Sequence, residues 1–336
     1  MHSPTVISMS FDNFFLQESY KKVQSLGDRL SKIKDAIDWE RFRPIVAAVY
    51  HDNKEVGGRP HTDEIIIVKA LVLQALYGLS DPELEYQIHD RLSFRNFLGF
   101  PDTIPDFTTI WKARDRLVKT GNDVLIWEEL QRQLDDKGYV LKRGVIQDAT
   151  FIEADVGKKR YAEEKRCRKK GKSKQYSKKQ KQHMDQDGSF AVKNNQVHYG
   201  YKTHIKVDID YHLIRNLAVT TASVHDNEID LVNEGDVVAY RDKGYFGKPL
   251  RARNVKDNTM LRRSRGRRLN GGQQKRNKNI ARIRAPGERP FAVMKRVFHG
   301  GRTYVKTLER VFVKEMFVCF AYNLYQLVTL EKRGLA

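Results

Sequence analysis

Three acidic residues stand where their side chains could do chemistry. Asp148 lies in "VIQDAT", Asp242 lies in "VVAYRDKGY", and Glu288 follows "APG". Glu288 is isolated among arginines and lysines, because the nearest acids along the chain are Asp257 and Glu309. Mg²⁺ is bound by a few carboxylates together with water and phosphate oxygens. Two such ions can hold the attacking and the leaving oxygen of a phosphodiester, so three converging carboxylates would suit that chemistry.

Each carboxylate also has an ordinary alternative, in which it bonds to a neighbour in the sequence. The neighbours available are Thr150 for Asp148, Arg241 and Lys243 for Asp242, and Arg284 and Arg289 for Glu288. Glu288 could also stabilise the N-terminus of the helix that it begins. For any one residue alone the ordinary role is favoured, and the metal hypothesis depends on the three together.

The charge of the chain points to a polyanionic partner. Its 336 residues include 62 Lys and Arg against 42 Asp and Glu, a net charge of +20. Nucleic acid is the first candidate partner and an anionic membrane surface is the second. No apolar run approaches the roughly 20 residues of a membrane span, and no signal peptide is evident. Cys167 and Cys319 fit neither a zinc site nor a disulfide framework, which favours a reducing, intracellular location.

The first 138 residues have the pattern of an all-α region. Helices are predicted over about 62–79, 80–100, 104–120 and 122–138, with Ser80 as an N-cap and Asp106 or Thr108 as another. Short helices with tight turns are typical of a helix-turn-helix arrangement. A helical bundle that packs on the rest of the chain is an equal alternative.

After Gly138 the pattern changes to strands. "YVLKRGVIQDATFIEADV" predicts one or two extended segments that form the first strand. "NNQVHYGYKTHIKVDID" alternates as a second strand, and "YHLIRNLAVTTASVHDN" follows as a third through the turn "DIDYH". "DNEIDLVNEG" predicts a short helix, and "DVVAYRDKGY" predicts a fourth strand that is apolar enough to be central. "NTMLRR" is a possible fifth strand, and a long helical pattern covers about 288–331. The order predicts a mixed sheet with helices on its faces.

Two basic segments interrupt this scheme. Residues 158–187 form a Lys- and Gln-rich segment that we interpret as a mobile insertion, and residues 262–284 form a basic loop with a Gly-Gly break. Either segment could simply be a solvated charged surface. Two such runs beside one small sheet favour contact with DNA.

The motifs together resemble the DDE transposases of bacterial insertion sequences, most closely the IS5 group within the IS4-like superfamily. "VIQDATFIEA" and "YRDKGYFG" are similar to the first and second aspartate motifs of that family. The family's C-terminal signature, Y-x2-R-x3-E-x6-K, is matched by Arg284, Glu288 and Lys295, with Ala281 in place of the tyrosine. "HYGYKTHIKVD", "TTASVHDNE" and the helical front extend the resemblance over about residues 60–330.

The resemblance implies an α/β protein with an RNase H-like mixed-sheet catalytic domain behind an all-α, helix-turn-helix-like domain. It implies an N-terminal helical extension over 1–60, a helical DNA-binding or assembly domain over 61–138 and a catalytic domain over 139–336. It also implies that Asp148, Asp242 and Glu288 bind two Mg²⁺ ions, for which Mn²⁺ would substitute. One ion would activate water and later the DNA 3′-OH, and the other would stabilise the leaving oxygen.

Several basic residues near the carboxylates are candidates for DNA contact. Arg284 and Lys295 could hold phosphates near the scissile bond, or could pair with Glu288. Lys243 and Arg289, which directly follow Asp242 and Glu288, are further candidates.

Other candidates lie on the second strand and after the fourth. Lys202 and His204 share the polar side of the second strand, where DNA contact, support of the carboxylates and a purely structural role all remain open. Tyr245 could pack under the site or stack on a base. All the tryptophans lie in the helical front, so a flipped base would have to be stabilised by Tyr245 or Phe246.

The resemblance implies an enzyme that binds the terminal inverted repeats of its element, nicks a strand and joins the 3′-OH to target DNA. Such an enzyme would act as a homodimer or higher oligomer on DNA in the cytoplasm of a bacterium or archaeon, at the nucleoid and without a membrane partner. A metal-dependent nuclease that does not join strands is one alternative. A DNA-binding regulator whose acidic residues are coincidental is another, and it predicts binding unaffected by Mg²⁺.

Overall fold

The computed structural model describes residues 11–50, 61–156, 160–193, 195–263 and 268–334. The chain divides into two compact units. The first comprises Met1–Lys137 with Leu324–Ala336, and the second comprises Gly138–Asn323.

The first unit is built from helices. They are α1 (Phe11–Ser25), α2 (Arg29–Asp35), α3 (Arg43–Ala47), α4 (Glu64–Tyr77), α5 (Asp81–Asp90), α6 (Leu92–Leu98), α7 (Phe107–Thr120) and α8 (Asn122–Asp136), with a 3₁₀ turn over Trp39–Phe42. Their apolar faces form a core around α4, most of whose side chains are buried.

Side-chain caps set the ends of these helices, and two of the predicted caps are confirmed. Ser80 accepts a hydrogen bond from the backbone of Glu83 at the start of α5, and Asp106 accepts one from Thr109 at the start of α7. The single helix expected over 80–100 is wrong. Arg91 takes an extended conformation, with φ −100° and ψ 120°, and divides this stretch into α5 and α6.

The second unit is a mixed sheet with helices. Its strands are β1 (Val145–Ala154), β2 (Ser189–Lys193), β3 (Gln196–Asp208), β4 (Ile214–Thr221), β5 (Val238–Arg241), β6 (Lys256–Thr259) and β7 (Arg302–Thr303). Its helices are α9 (Arg160–Lys169), α10 (Lys178–His183), α11 (Gly271–Arg284), α12 (Glu288–Arg296) and the start of α13 (Leu308–Glu331).

The sheet runs in the order β2-β3-β1-β5-β6, with β4 also paired to β3 and β7 to β1. β3 is antiparallel to β1 and to β4, whereas β5 is parallel to both β1 and β6. The expected antiparallel arrangement of the first three strands and the central place of the fourth are confirmed. β2 was not expected, and the fifth strand begins earlier than "NTMLRR" indicated.

The prediction of a short helix in "DNEIDLVNEG" is wrong. Only a 3₁₀ turn, Asp226–Glu228, forms there. The side chain of Gln147, buried on β1, donates to the carbonyl of Ile229 at 2.6 Å and accepts from the backbone of Leu231 at 3.3 Å. These bonds hold the segment extended along β1, so its backbone groups find partners without a helix.

Both basic segments contain helices that the sequence reasoning did not assign. In the first, α9 is held to the sheet because Arg160 donates to the hydroxyl of Tyr199 on β3 at 2.6 Å. In the second, Asn270 and Gln273 form a capping box at the start of α11. The Gly-Gly pair therefore begins a helix, and the expectation of a loop up to residue 284 is wrong.

The long helical pattern expected over 288–331 is also two helices. α12 ends at Arg296, and His299 and Thr307 have φ of 55° and 74°, values that interrupt a right-handed helix. Between them β7 pairs with the end of β1.

The part of α13 that belongs to the second unit ends at Asn323, whose side chain bonds both backbone groups of Ile214 at 2.8 Å. Among the described residues, α13 alone is a single helix long and apolar enough to cross a membrane, and most of it is buried inside the fold.

Candidate active site

Asp148 and Asp242 are neighbours because β1 and β5 are adjacent parallel strands. Gln147 of β1 is in register with Arg241 of β5, and each aspartate is the next residue along its strand direction. Asp148 lies within β1, and Asp242 directly follows the end of β5. The two carboxylates are therefore neighbours across this strand pair, and the charge of Asp242 raises the pKa of Asp148. Both are partly buried.

A glycine keeps the two strands this close at their start. Gly144, just before β1, has φ +152°, and a Cβ there would lie 2.7 Å from the carbonyl oxygen of Val238 in β5. Any larger residue would have to push β5 away from β1. Behind this contact, Val145 and Ala239 are fully buried in a small apolar cluster.

The carboxylate of Asp148 has two fixed partners. Its Oδ1 accepts from the backbone N–H of Ala149 at 2.9 Å, and its Oδ2 accepts from Nη2 of Arg284 at 2.9 Å. Burial raises the pKa of Asp148 to about 6; Arg284 opposes this shift, and the nearby charge of Asp242 adds to it. The Arg284 guanidinium thus occupies the position of a counter-cation beside Asp148.

Asp242 is held by the turn that follows it. Its Oδ1 accepts from the backbone N–H of Gly244 at 2.7 Å, which shapes the 3₁₀ turn Lys243–Tyr245. Arg241, a possible partner of Asp242 in the sequence, donates instead to Asp257 at 2.7 Å. Lys243 is exposed to solvent.

Glu288 begins α12 and is exposed. The preceding Gly287 packs so tightly on Ile146 of β1 that a Cβ would lie 2.8 Å from Cγ2 of Ile146. The first turn of α12 is therefore fixed against β1 close to Asp148. Arg284, expected as a possible partner of Glu288, forms its ion pair with Asp148.

Two of the three predicted carboxylates, Asp148 and Asp242, are arranged as a divalent cation would require. Within the described ranges, no group of three His, Cys, Asp or Glu side chains is gathered closely enough to hold a metal ion. The two adjacent aspartates nevertheless form an all-oxygen pair of like charges, the kind of donor that Mg²⁺ prefers. The third ligand would require the exposed Glu288 side chain to turn toward them, and the binding of metal by these three residues stays a prediction.

The structure removes two candidates from the side chains available to DNA. Lys202 is buried, and its ammonium donates to Asp226 and to the carbonyl of Val224, both at 2.8 Å. His204 is fully buried, and its Nε2 lies 2.9 Å from the hydroxyl of Thr220. Burial lowers the pKa of His204 to about 4, so the ring is neutral at physiological pH. The sequence left three roles open for Lys202 and His204: DNA contact, support of the carboxylates and a structural role. These contacts agree with the structural role.

The other candidates differ in exposure. Tyr245 is buried, with the guanidinium of Arg241 5.7 Å from its ring centre, so it packs beneath the site and is not placed to stack on a base. Phe246 is exposed. Arg289 and Lys295 are half-buried on α12, and burial lowers the pKa of Lys295.

Sequence reasoning missed Lys193 as a neighbour of the site. It is exposed on β2, its ammonium lies 5.9 Å from the ring centre of Phe151, and its charge lowers the pKa of Asp148. The ring of Phe151 stacks on His198 with centres 4.2 Å apart. The sequence offered one indication of Lys193, the many lysines of the basic segment that precedes it. Its position near Asp148 could not be predicted, because the pairing of β2 with β3 was not expected.

Comparison with known proteins gave two matching family models. A transposase DDE domain matches residues 139–324, and a transposase domain designated DUF772 matches residues 17–116. No solved structure matches the chain significantly. The first match covers the mixed sheet with both aspartates and Glu288, and the second covers most of the helical unit.

Proposed function

Since this chain belongs to the DDE transposases, metal-dependent enzymes that act on DNA, we propose that Asp148, Asp242 and Glu288 are its metal-binding carboxylates. The expected fold, an RNase H-like mixed sheet behind an all-α region, is confirmed by the strand order and by both family matches. The observation that carries the proposal is the adjacent position of Asp148, within β1, and Asp242, at the end of the parallel strand β5.

The two ions would be Mg²⁺, for which Mn²⁺ would substitute. When bound, they would supply a nucleophile at neutral pH and would offset the charge that develops on the phosphodiester. Asp148 and Asp242 would hold them from the sheet, and Glu288 would close the site from α12. The turn that Asp242 makes with Gly244 fixes the orientation of its carboxylate before any ion arrives.

The basic residues around the carboxylates would hold the DNA strand. Arg284 bonds Asp148 through Nη2, while its Nε is buried without a hydrogen-bond partner in the described part of the chain. A cation at Asp148 would compete with this ion pair and would release the guanidinium for a phosphate oxygen. Lys295 lies seven residues after Glu288 on the same face of α12, and Lys243 and Arg289 flank the site.

The overall reaction that this site supports is transposition of an insertion sequence. The enzyme would bind the terminal inverted repeats, cleave a strand by hydrolysis and transfer the resulting 3′-OH into target DNA. We assign the chain to the IS5 group, because Arg284, Glu288 and Lys295 match the group's signature, although Ala281 replaces its tyrosine. The residues 61–138 would serve DNA binding or assembly, with a dimer or higher oligomer acting at the nucleoid in the cytoplasm.

Strand transfer is the step that tests this proposal. A labelled duplex ending in the terminal repeat, taken from the DNA that flanks the gene, is incubated with a supercoiled target plasmid and Mg²⁺. Wild-type protein should join label to the plasmid, and Asp242→Asn should not. Asp90→Asn, which changes an exposed aspartate at the end of α5, serves as the matched control.

The same reaction separates the alternatives. Cleaved label without joined plasmid would support a nuclease and refute the transfer step. Binding of the duplex that is unaffected by Mg²⁺, with no cleavage, would refute the catalytic role of all three carboxylates.

A further inference from the structure

The helical unit contains a large cavity of its own. Its volume is about 1210 Å³, and it lies between the N-terminal half of α4, the segment 98–106 and one face of α7. The face of α7 contributes Thr109, Lys112, Arg116 and Lys119, which are spaced three or four residues apart. This wall of the cavity therefore presents three basic side chains.

Lys69 of α4 lines this cavity and is only 8% exposed. Within the described part of the chain no carboxylate or carbonyl accepts a hydrogen bond from its ammonium, whose nearest aromatic contact is the ring of Trp39, 5.4 Å away. Burial lowers the pKa of Lys69 to about 8 and the charge of Lys34 lowers it further, whereas the charges of Glu40, Asp63 and Asp35 oppose the shift. The side chain of Lys69 is thus mostly buried, while its ammonium lines the cavity without a hydrogen-bond acceptor among the described residues. This is the arrangement expected where a ligand supplies the acceptor.

The charges of two acidic side chains of the cavity, Glu40 and Asp63, favour the charged form of Lys69, but in the described ranges neither accepts a hydrogen bond from its ammonium. Arg43 bonds both Glu40 and Asp63 at 2.7 Å, and Asp102 is also engaged. Asp106 accepts from the backbone of Thr109 as the N-cap of α7.

Two cations of the α7 wall lack a carboxylate partner in the described ranges. Lys112 is exposed, and the guanidinium of Arg116 lies 4.9 Å from the ring centre of Tyr50. Together with Lys69 they form a set of three cations around one concave surface.

We propose that this cavity binds a phosphate group, with Lys69 as the buried counter-charge and Lys112 and Arg116 on the α7 wall. An ammonium and a guanidinium both bind phosphate oxygens through charge-assisted hydrogen bonds. In a DNA transposase the phosphate belongs to a DNA strand, and a free phosphate ester would meet the same chemistry. The site lies in the helical unit, whereas the proposed metal carboxylates belong to the other unit, so it extends the proposed function and does not depend on those carboxylates.

The test uses the whole chain in EDTA, so that binding through metal ions is excluded. Sodium pyrophosphate is titrated by calorimetry, and a fluorescent DNA duplex is titrated by anisotropy at several salt concentrations. Lys69→Met is compared with Lys22→Met, which removes the same charge from an exposed position of α1 outside the cavity. Unfolding midpoints are measured for both variants, and Lys112→Met provides an exposed second variant if Lys69→Met does not fold.

Wild type and Lys22→Met should bind pyrophosphate equally, and Lys69→Met should bind it about tenfold more weakly or not at all. If the phosphate comes from DNA, the slope of log K against log[salt] for DNA binding should also become shallower in Lys69→Met, by the amount expected for about one phosphate contact. Loss of pyrophosphate binding with unchanged DNA binding would support the phosphate site and refute DNA as its source. Absence of pyrophosphate binding by wild type, or equal binding by Lys69→Met and wild type, would overturn the proposal.

Discussion

Gly287 fixes the first turn of α12 against β1, so Gly287→Ala should displace Glu288. The backbone is not the obstacle, because Gly287 has helical angles, φ −67° and ψ −14°. The obstacle is the added methyl group, which would lie 2.8 Å from Cγ2 and 3.1 Å from Cδ1 of Ile146. Ile146 is itself buried, so either it or α12 must move.

The size of the effect follows from the two opposing contributions. Inserting a methyl group into a packed site costs about 1–3 kcal/mol. Replacing glycine where the conformation is allowed regains about 0.4–1 kcal/mol. We expect a net loss of about 1–2 kcal/mol in the free energy of unfolding. Strand cleavage should fall further than stability alone explains, because Glu288 moves with the helix.

Denaturant unfolding and cleavage of the terminal-repeat duplex are measured on the same preparations. Gly272→Ala is the matched control, since the nearest heavy atom to its Cβ is Oδ1 of Asn270 at 3.5 Å. In an Ile146→Ala background, which removes the obstructing atoms, Gly287→Ala should cost nothing further. Wild-type stability and cleavage in Gly287→Ala would refute the packing of α12 on β1.

Two further predictions concern buried ionisable side chains of the sheet. Lys206→Met should lower the free energy of unfolding by about 3–5 kcal/mol, because it leaves Asp236 buried without the ammonium that lies 2.9 Å away. In denaturant unfolding, the double variant Lys206→Met with Asp236→Leu should recover part of this loss. A loss below about 1 kcal/mol in the single variant would contradict the reasoning. His204, with its pKa lowered to about 4, is neutral in the folded protein, whereas in the unfolded chain it takes up a proton below the ordinary 6.5. The contribution of neutral His204 to the free energy of unfolding should therefore be fully present above pH 6.5 and should fall by up to about 3 kcal/mol toward pH 4. His204→Asn should not show this loss, and parallel acid-unfolding curves for the two proteins would contradict the prediction.

Local patterns were enough to predict the elements that carry the carboxylates. The alternation of β3, the apolar β5 and the caps at Ser80 and Asp106 are all properties of a few consecutive residues. The order of those elements allowed the ends of the first and fourth predicted strands, which carry Asp148 and Asp242, to be neighbours. The parallel register of β1 and β5 agrees with that placement.

The features that were missed depend on contacts between distant parts of the chain. Gln147 captures a segment more than 80 residues away and prevents the expected helix. Arg284 pairs with Asp148 and not with its sequence neighbour Glu288, across 136 positions. Lys202 and His204 lie on the polar side of an alternating strand, yet both faces of β3 are covered. Single-sequence periodicity cannot distinguish a polar face that is solvated from one that is buried with internal partners.

The most direct test of the central claim is metal-dependent nicking by Glu288→Gln. A labelled duplex with the terminal repeat is incubated with wild type, Glu288→Gln or Glu309→Gln, in Mg²⁺ or in EDTA, and binding and cleavage are recorded together. Glu309 is the next acid along the chain and is exposed at the start of α13, which makes it the matched control.

If Glu288 is a metal carboxylate, wild type and Glu309→Gln nick the repeat boundary only with Mg²⁺, whereas Glu288→Gln binds the duplex and does not nick it. If Glu288→Gln cuts as well as wild type, Glu288 is not a metal ligand, and the proposed set of three carboxylates is wrong in its third member.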